Sequence, residues 1–111
     1  MRLAIDFDNT IRGWKTAQPE KGVKEALEKL KKEGYYISIY SCRTSKEFSK
    51  NLKEKEIQRN FIKDFLDDHN IPFDEILIDC DKPIATYYID DAAIEYKNNW
   101  KEITERLIDD I

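Results

Sequence analysis

Three short stretches of this chain carry side chains that could do chemistry together. The apolar run Ala4-Ile5 leads into Asp6-Phe7-Asp8-Asn9-Thr10. Side chains alternate along an extended segment, so Asp6 and Asp8 would point the same way if the strand continued. Two carboxylates that close repel each other, and keeping both charged in a partly buried site is costly without a cation. Oxygen donors of this kind suit a hard divalent ion, above all Mg²⁺. Further along, Ser41 offers a hydroxyl with Arg43 and Lys46 just past it, Lys82 stands in Asp81-Lys82-Pro83, and Tyr88-Ile89 runs into the acids Asp90-Asp91. The bland alternative for Asp6-Phe7-Asp8 is a solvated turn, because Asp and Asn are ordinary turn residues.

The elements that must position these groups alternate strand and helix. Residues 2–7 read as a first strand. A loop through Trp14 and Pro19 leads to a helix with Val23, Ala26, Leu27 and Leu30 on one face, ended by Gly34. Residues 35–41 form a second strand. Thr44 and Glu47 have the spacing of a capping box for a helix that runs to about His69, with a break expected near Lys55 where the apolar spacing slips. Residues 75–79 and 86–89 read as strands three and four. Asn99 and Glu102 suggest another capping box, before a last helix buried through Trp100, Ile103, Leu107 and Ile111. This order predicts an α/β fold: a mostly parallel sheet with helices on both faces. Ligands of such sheets bind beyond the carboxyl ends of the strands. Asp6 and Asp8, Ser41, and Asp90-Asp91 end three of the four strands at that edge.

Composition narrows the classes. The chain has 111 residues, read as one domain over 1–111, and is 41% hydrophobic and 38% charged. A net charge of −4 argues against a broad nucleic-acid-binding face. No stretch approaches the roughly 20 apolar residues of a membrane span, and no signal-peptide pattern begins the chain, so no membrane partner and a cytoplasmic location are expected. Cys42 and Cys80 lack metal-type spacing and read as buried, reduced thiols, and the lone His69 as a helix-end or surface residue.

On these residues the chain resembles the haloacid dehalogenase-like (HAD) phosphohydrolase superfamily. Asp6-Phe7-Asp8-Asn9-Thr10 is similar to its first motif, Ser41 after Tyr36-Ile37-Ser38-Ile39-Tyr40 to its second, Lys82 to its third, and Tyr88-Ile89-Asp90-Asp91 to its fourth. The resemblance implies a three-layer, Rossmann-like sheet in the order 3-2-1-4. It implies that Asp6 attacks phosphorus to form an aspartyl-phosphate, that Asp8 acts as acid and then base, and that Ser41 and Lys82 hold phosphoryl oxygens. Mg²⁺ would be bound by Asp6, the Asp8 backbone carbonyl and Asp90, with Asp91 as neighbour or substitute. Asn9, Thr10 and Arg43 are added as substrate contacts, although Thr10 is expected mainly to fix its turn by hydrogen bonding. Larger members have a helix between strands three and four; here only residues 80–85 intervene, and Arg43 and Lys46 are the replacement cations if Lys82 cannot reach.

Neither insertion region is long enough for a cap domain, so an open site is expected for a phosphorylated substrate. Its identity stays open and includes a phosphorylated nucleic-acid end, and an oligomer could cover the site. Arg12, Trp14 and Lys15 in the first loop could contact substrate, with Trp14 as an aromatic platform; packing of Trp14 on the sheet edge is the competing reading. Two other classes compete with a phosphatase: a catalytically weak phosphate-binding or partner-recognition module, and a response-regulator receiver-like domain.

Overall fold

The computed structural model describes residues 1–45, 49–78 and 83–111. Its elements are β1 (Arg2–Asp6), α1 (Val23–Lys32), β2 (Tyr36–Tyr40), α2 (Leu52–Asp68), β3 (Glu75–Ile76), β4 (Tyr87–Ile89) and α3 (Trp100–Asp109). The strands form one all-parallel sheet in the order β3-β2-β1-β4, as expected, and among the described residues no cap domain interrupts it. A right-handed crossover is the rule for parallel strands, and β1 to β2 to β3 moves in one direction, so α1 and α2 fall on the same face.

The register explains the core. Leu3 and Ile5 lie beside Ile37 and Ile39, and Ile39 beside Ile76, so these side chains share one face. Leu27 of α1 and Ile62, Phe65 and Leu66 of α2 close over them in one buried cluster. Burying each such side chain stabilises the fold by roughly 1.5–3 kcal/mol. Phe7 and Ile11, just past β1, are fully buried, and Phe7 meets Phe65 edge-on at 5.5 Å. The same core therefore anchors the end of β1 that carries Asp6 and the loop that carries Asp8.

The other face of the sheet is tied by polar groups. Arg2 donates to Ser38 Oγ at 2.9 Å and pairs with Glu75, and the Ser38 hydroxyl donates to Glu75 at 2.7 Å. The Ser38 hydroxyl first, and then Arg2, hold the Glu75 carboxyl below its ordinary range. One residue from each of three strands is thus cross-linked.

Several expectations are corrected at element ends. The helix α2 runs unbroken through Lys55. Its cap is not Thr44: Asn51 Oδ1 accepts from the Glu54 amide at 2.9 Å while Glu54 accepts from the Lys50 amide at 2.7 Å, a reciprocal pair three residues apart. Thr44 instead closes a 3₁₀ turn (Cys42–Thr44), and Glu47 lies outside the described residues. Asn99 makes no side-chain cap to α3; its amide donates to the Glu102 carboxylate and its carbonyl accepts from Lys97 N. Only Ile103 of that helix is buried, whereas Trp100, Leu107 and Ile111 are exposed. The described part of the third strand is two residues long, and Asp79 and Cys80 lie outside the described residues. Cys42 is exposed rather than buried. Gly34 does follow α1 with φ of 92°, a left-handed turn that suits a residue without Cβ. Among the described residues, no helix is long and apolar enough to cross a membrane.

Candidate active site

Parallel strands present their carboxyl ends at one edge, and the register decides which residues meet there. Ile5 lies beside Ile89, so Asp6 and Asp90 follow as neighbours; Asp6 itself lies beside Tyr40. Asp6, Asp90 and Asp91 each place a carboxylate oxygen within 4.8 Å of the others. Burial first, then the charge of Asp90 and the hydrogen bond to Asp91, push the Asp6 carboxyl up to about 7. Asp90 moves the other way. The Ala92 amide first, at 2.7 Å, and then the Tyr40 hydroxyl, also at 2.7 Å, hold its carboxyl below the ordinary range.

Tyr40 went unnoticed in the sequence as a site residue. It belongs to β2 and Asp90 follows β4, so its side chain crosses the tip of β1, about two strand spacings of roughly 4.8 Å. Burial first, and then Asp90, raise the phenol well above its ordinary value, so it remains a donor. Its alignment with Asp6, one residue before Ser41, was the available signal.

Asp8 has different company. The strand ends at Asp6, and the chain turns: Phe7 O accepts from the Ile11 and Arg12 amides at 2.9 and 3.1 Å, and Asn9 adopts φ of 58°. The Asp8 carboxylate accepts two bonds from Arg43, at 2.8 and 3.2 Å, with Arg12 at 4.0 Å. It is not among the three clustered carboxylates, so a metal role for Asp8 is left to its backbone carbonyl. Arg43 in turn is stacked, its guanidinium carbon 5.3 Å from the Trp14 ring centre and 4.8 Å from that of Phe61. Arg12 lies over Phe61 at 5.2 Å. Bidentate pairing and contact with two aromatic rings fix Arg43 in place.

The remaining candidates are placed as follows. Ser41 is buried at the end of β2, and its Oγ accepts from the Arg43 amide at 3.1 Å, which leaves its O–H to donate elsewhere. Asn9, not Thr10, pins the loop, by accepting the Trp14 amide at 2.8 Å. The Thr10 hydroxyl is buried with no hydrogen-bond partner among the described residues, against the expectation that it fixes the turn. Trp14 is 61% exposed and packs on Arg43 rather than on the sheet edge. Lys82 and Lys46 lie outside the described residues.

The donor set fits a hard cation. Three carboxylates converge, one of them driven toward its neutral form by burial first and then by the other two, and a divalent ion would offset both the lost solvation and the repulsion.

No protein-family model matches this chain, and no curated protein matches it. Among solved structures, the crystal structure of a target protein from Vibrio cholerae is similar. It is 27% identical, aligns over 99% of this chain and 98% of its own length, and gives a TM-score of 0.58.

Proposed function

We propose that this chain is a Mg²⁺-dependent phosphomonoester hydrolase of the HAD-like type, working through an aspartyl-phosphate on Asp6. The convergence of Asp6, Asp90 and Asp91 at one sheet edge carries this reading. When bound, Mg²⁺ would supply the positive charge that lets Asp6 ionise near neutral pH and offsets the charge of a phosphate dianion. Asp6 then attacks phosphorus, and the bond to the leaving oxygen breaks. Asp8 gives that oxygen a proton and later takes one from the water that releases phosphate from Asp6. The Ser41 hydroxyl donates to a phosphoryl oxygen. Arg43 holds both Asp8 oxygens, so one of its bonds must give way when Asp8 turns to the leaving group.

That same ion pair favours the second reading, a catalytically weak phosphate-binding module. A carboxylate clamped by a guanidinium is poorly placed to move protons. The receiver-like alternative fits less well. Flavodoxin-like sheets run 2-1-3-4-5, with strand three beside strand one, whereas here β4 occupies that place.

The test is phosphate release from a panel of phosphomonoesters, for wild type and Asp6→Asn. Mg²⁺-dependent turnover that disappears in Asp6→Asn supports the hydrolase. Binding of Mg²⁺ and inorganic phosphate without turnover supports the module instead.

A further inference from the structure

We infer that Trp14 and Arg43 form a stacking platform that selects phosphomonoesters whose leaving group carries a planar aromatic ring, a nucleoside monophosphate being the representative chemistry. This inference rests on the hydrolase reading for its location and on separate observations for its content. Trp14 is 61% exposed, yet its place is fixed at two points: its amide is held by Asn9, and its ring lies 5.3 Å from the Arg43 guanidinium. Arg43 is bound to Asp8 and backed by Phe61, so it cannot follow the indole out into solvent. An exposed tryptophan loosely laid on a surface has neither restraint.

The position matters as much as the rigidity. In the hydrolase reading Asp8 protonates the leaving oxygen, and Arg43 contacts both Asp8 and the indole. The Trp14 ring therefore lies within about 10 Å of the Asp8 carboxylate. One pentose between phosphate and base can bridge such a span. With no cap domain among the described residues to enclose the leaving group, the loop that carries Asp8 is the part of the chain placed to make contacts beyond the phosphate. Stacking on an aromatic face requires no deep pocket, which suits an open site.

Steady-state rates with adenosine 5′-monophosphate and ribose 5-phosphate test this directly, because the two share the phosphorylated pentose and differ at C1′, adenine against hydroxyl. Wild type is expected to favour the nucleotide in kcat/KM by roughly ten-fold or more. Trp14→Ala should collapse that ratio through KM for the nucleotide, and Trp14→Phe should restore most of it. Equal values for the two substrates, or a ratio untouched by Trp14→Ala, would overturn the inference. Where wild type hydrolyses neither compound, the phosphomonoester panel decides the hydrolase reading and a second measurement decides the platform. In Trp100→Phe, Trp14 is the only tryptophan. Stopped-flow quenching of its fluorescence by the nucleotide, saturating at concentrations roughly ten-fold or more below any effect of ribose 5-phosphate, supports stacking. No quenching, or equal quenching by both, rules it out.

Discussion

Asp6 and Asp8 are two residues apart, and their surroundings have opposite charge. Asp6 faces two further carboxylates and is pushed up to about 7. Asp8 faces two guanidiniums, themselves laid on Trp14 and Phe61. The division arises because β1 stops at Asp6 and buried Phe7 and Ile11 turn the chain back at once. What the contrast teaches is that one strand tip can hold two identical side chains in opposite electrostatic settings. One is short of positive charge and calls for a cation. The other already has its countercharge in Arg43 and Arg12.

Removing the first carboxylate should have the largest effect. Asp6→Asn is expected to lower turnover by at least about 10³-fold, as nucleophile removal does. It should also raise the melting temperature of the metal-free protein, since it deletes the repulsion; activity and thermal unfolding assays check both halves. Next comes the other side of the contrast. Arg43→Ala strips Asp8 of its two close bonds and removes the contacts with Trp14 and Phe61, for a loss of roughly 2–4 kcal/mol in denaturant unfolding. Arg43→Lys keeps the charge but not the fork, and should recover only part of it.

The pH dependence sharpens the comparison further. The Asp6 carboxyl lies near 7 when folded, against an ordinary value of 3.8. Between those limits the folded chain keeps a proton that the unfolded chain has lost, so metal-free stability should fall as pH rises from about 4 to about 7 and then level off. Mg²⁺ should therefore raise the melting temperature more at pH 8 than at pH 5; an equal rise at both would mean that Asp6 does not compete with the ion. A smaller effect is expected from Tyr40→Phe, which removes one hydrogen bond to Asp90 worth about 0.5–1.5 kcal/mol and should weaken Mg²⁺ binding several-fold. Leu107→Ser, on the exposed side of α3, should change stability by no more than about 0.5 kcal/mol.

The sheet and its chemical edge were legible because they follow from strong local signals. Alternating Leu3-Ile5 and Ile37-Ile39 define the core face, and the acids ending the first and fourth strands define the edge. What escaped were contacts that depend on register or on partners far along the chain. Tyr40 reaches Asp90 across fifty positions, and Arg43 chooses Asp8 because Trp14 and Phe61 flank it there. The capping pair at Asn51 and Glu54 was hidden by an equally good pattern at Thr44 and Glu47. The last helix was misjudged because its apolar stripe predicts a buried face only where another element covers it, and α3 buries Ile103 alone.

A calorimetric titration with Mg²⁺ at pH 8 tests the shared carboxylate site most directly. Wild type should bind one ion per chain, Asp90→Asn should lose most of that affinity, and Asp8→Asn, whose carboxylate belongs to Arg43, should keep it. Equal binding by wild type and Asp90→Asn, or no binding at all, would contradict a cation held between Asp6 and Asp90.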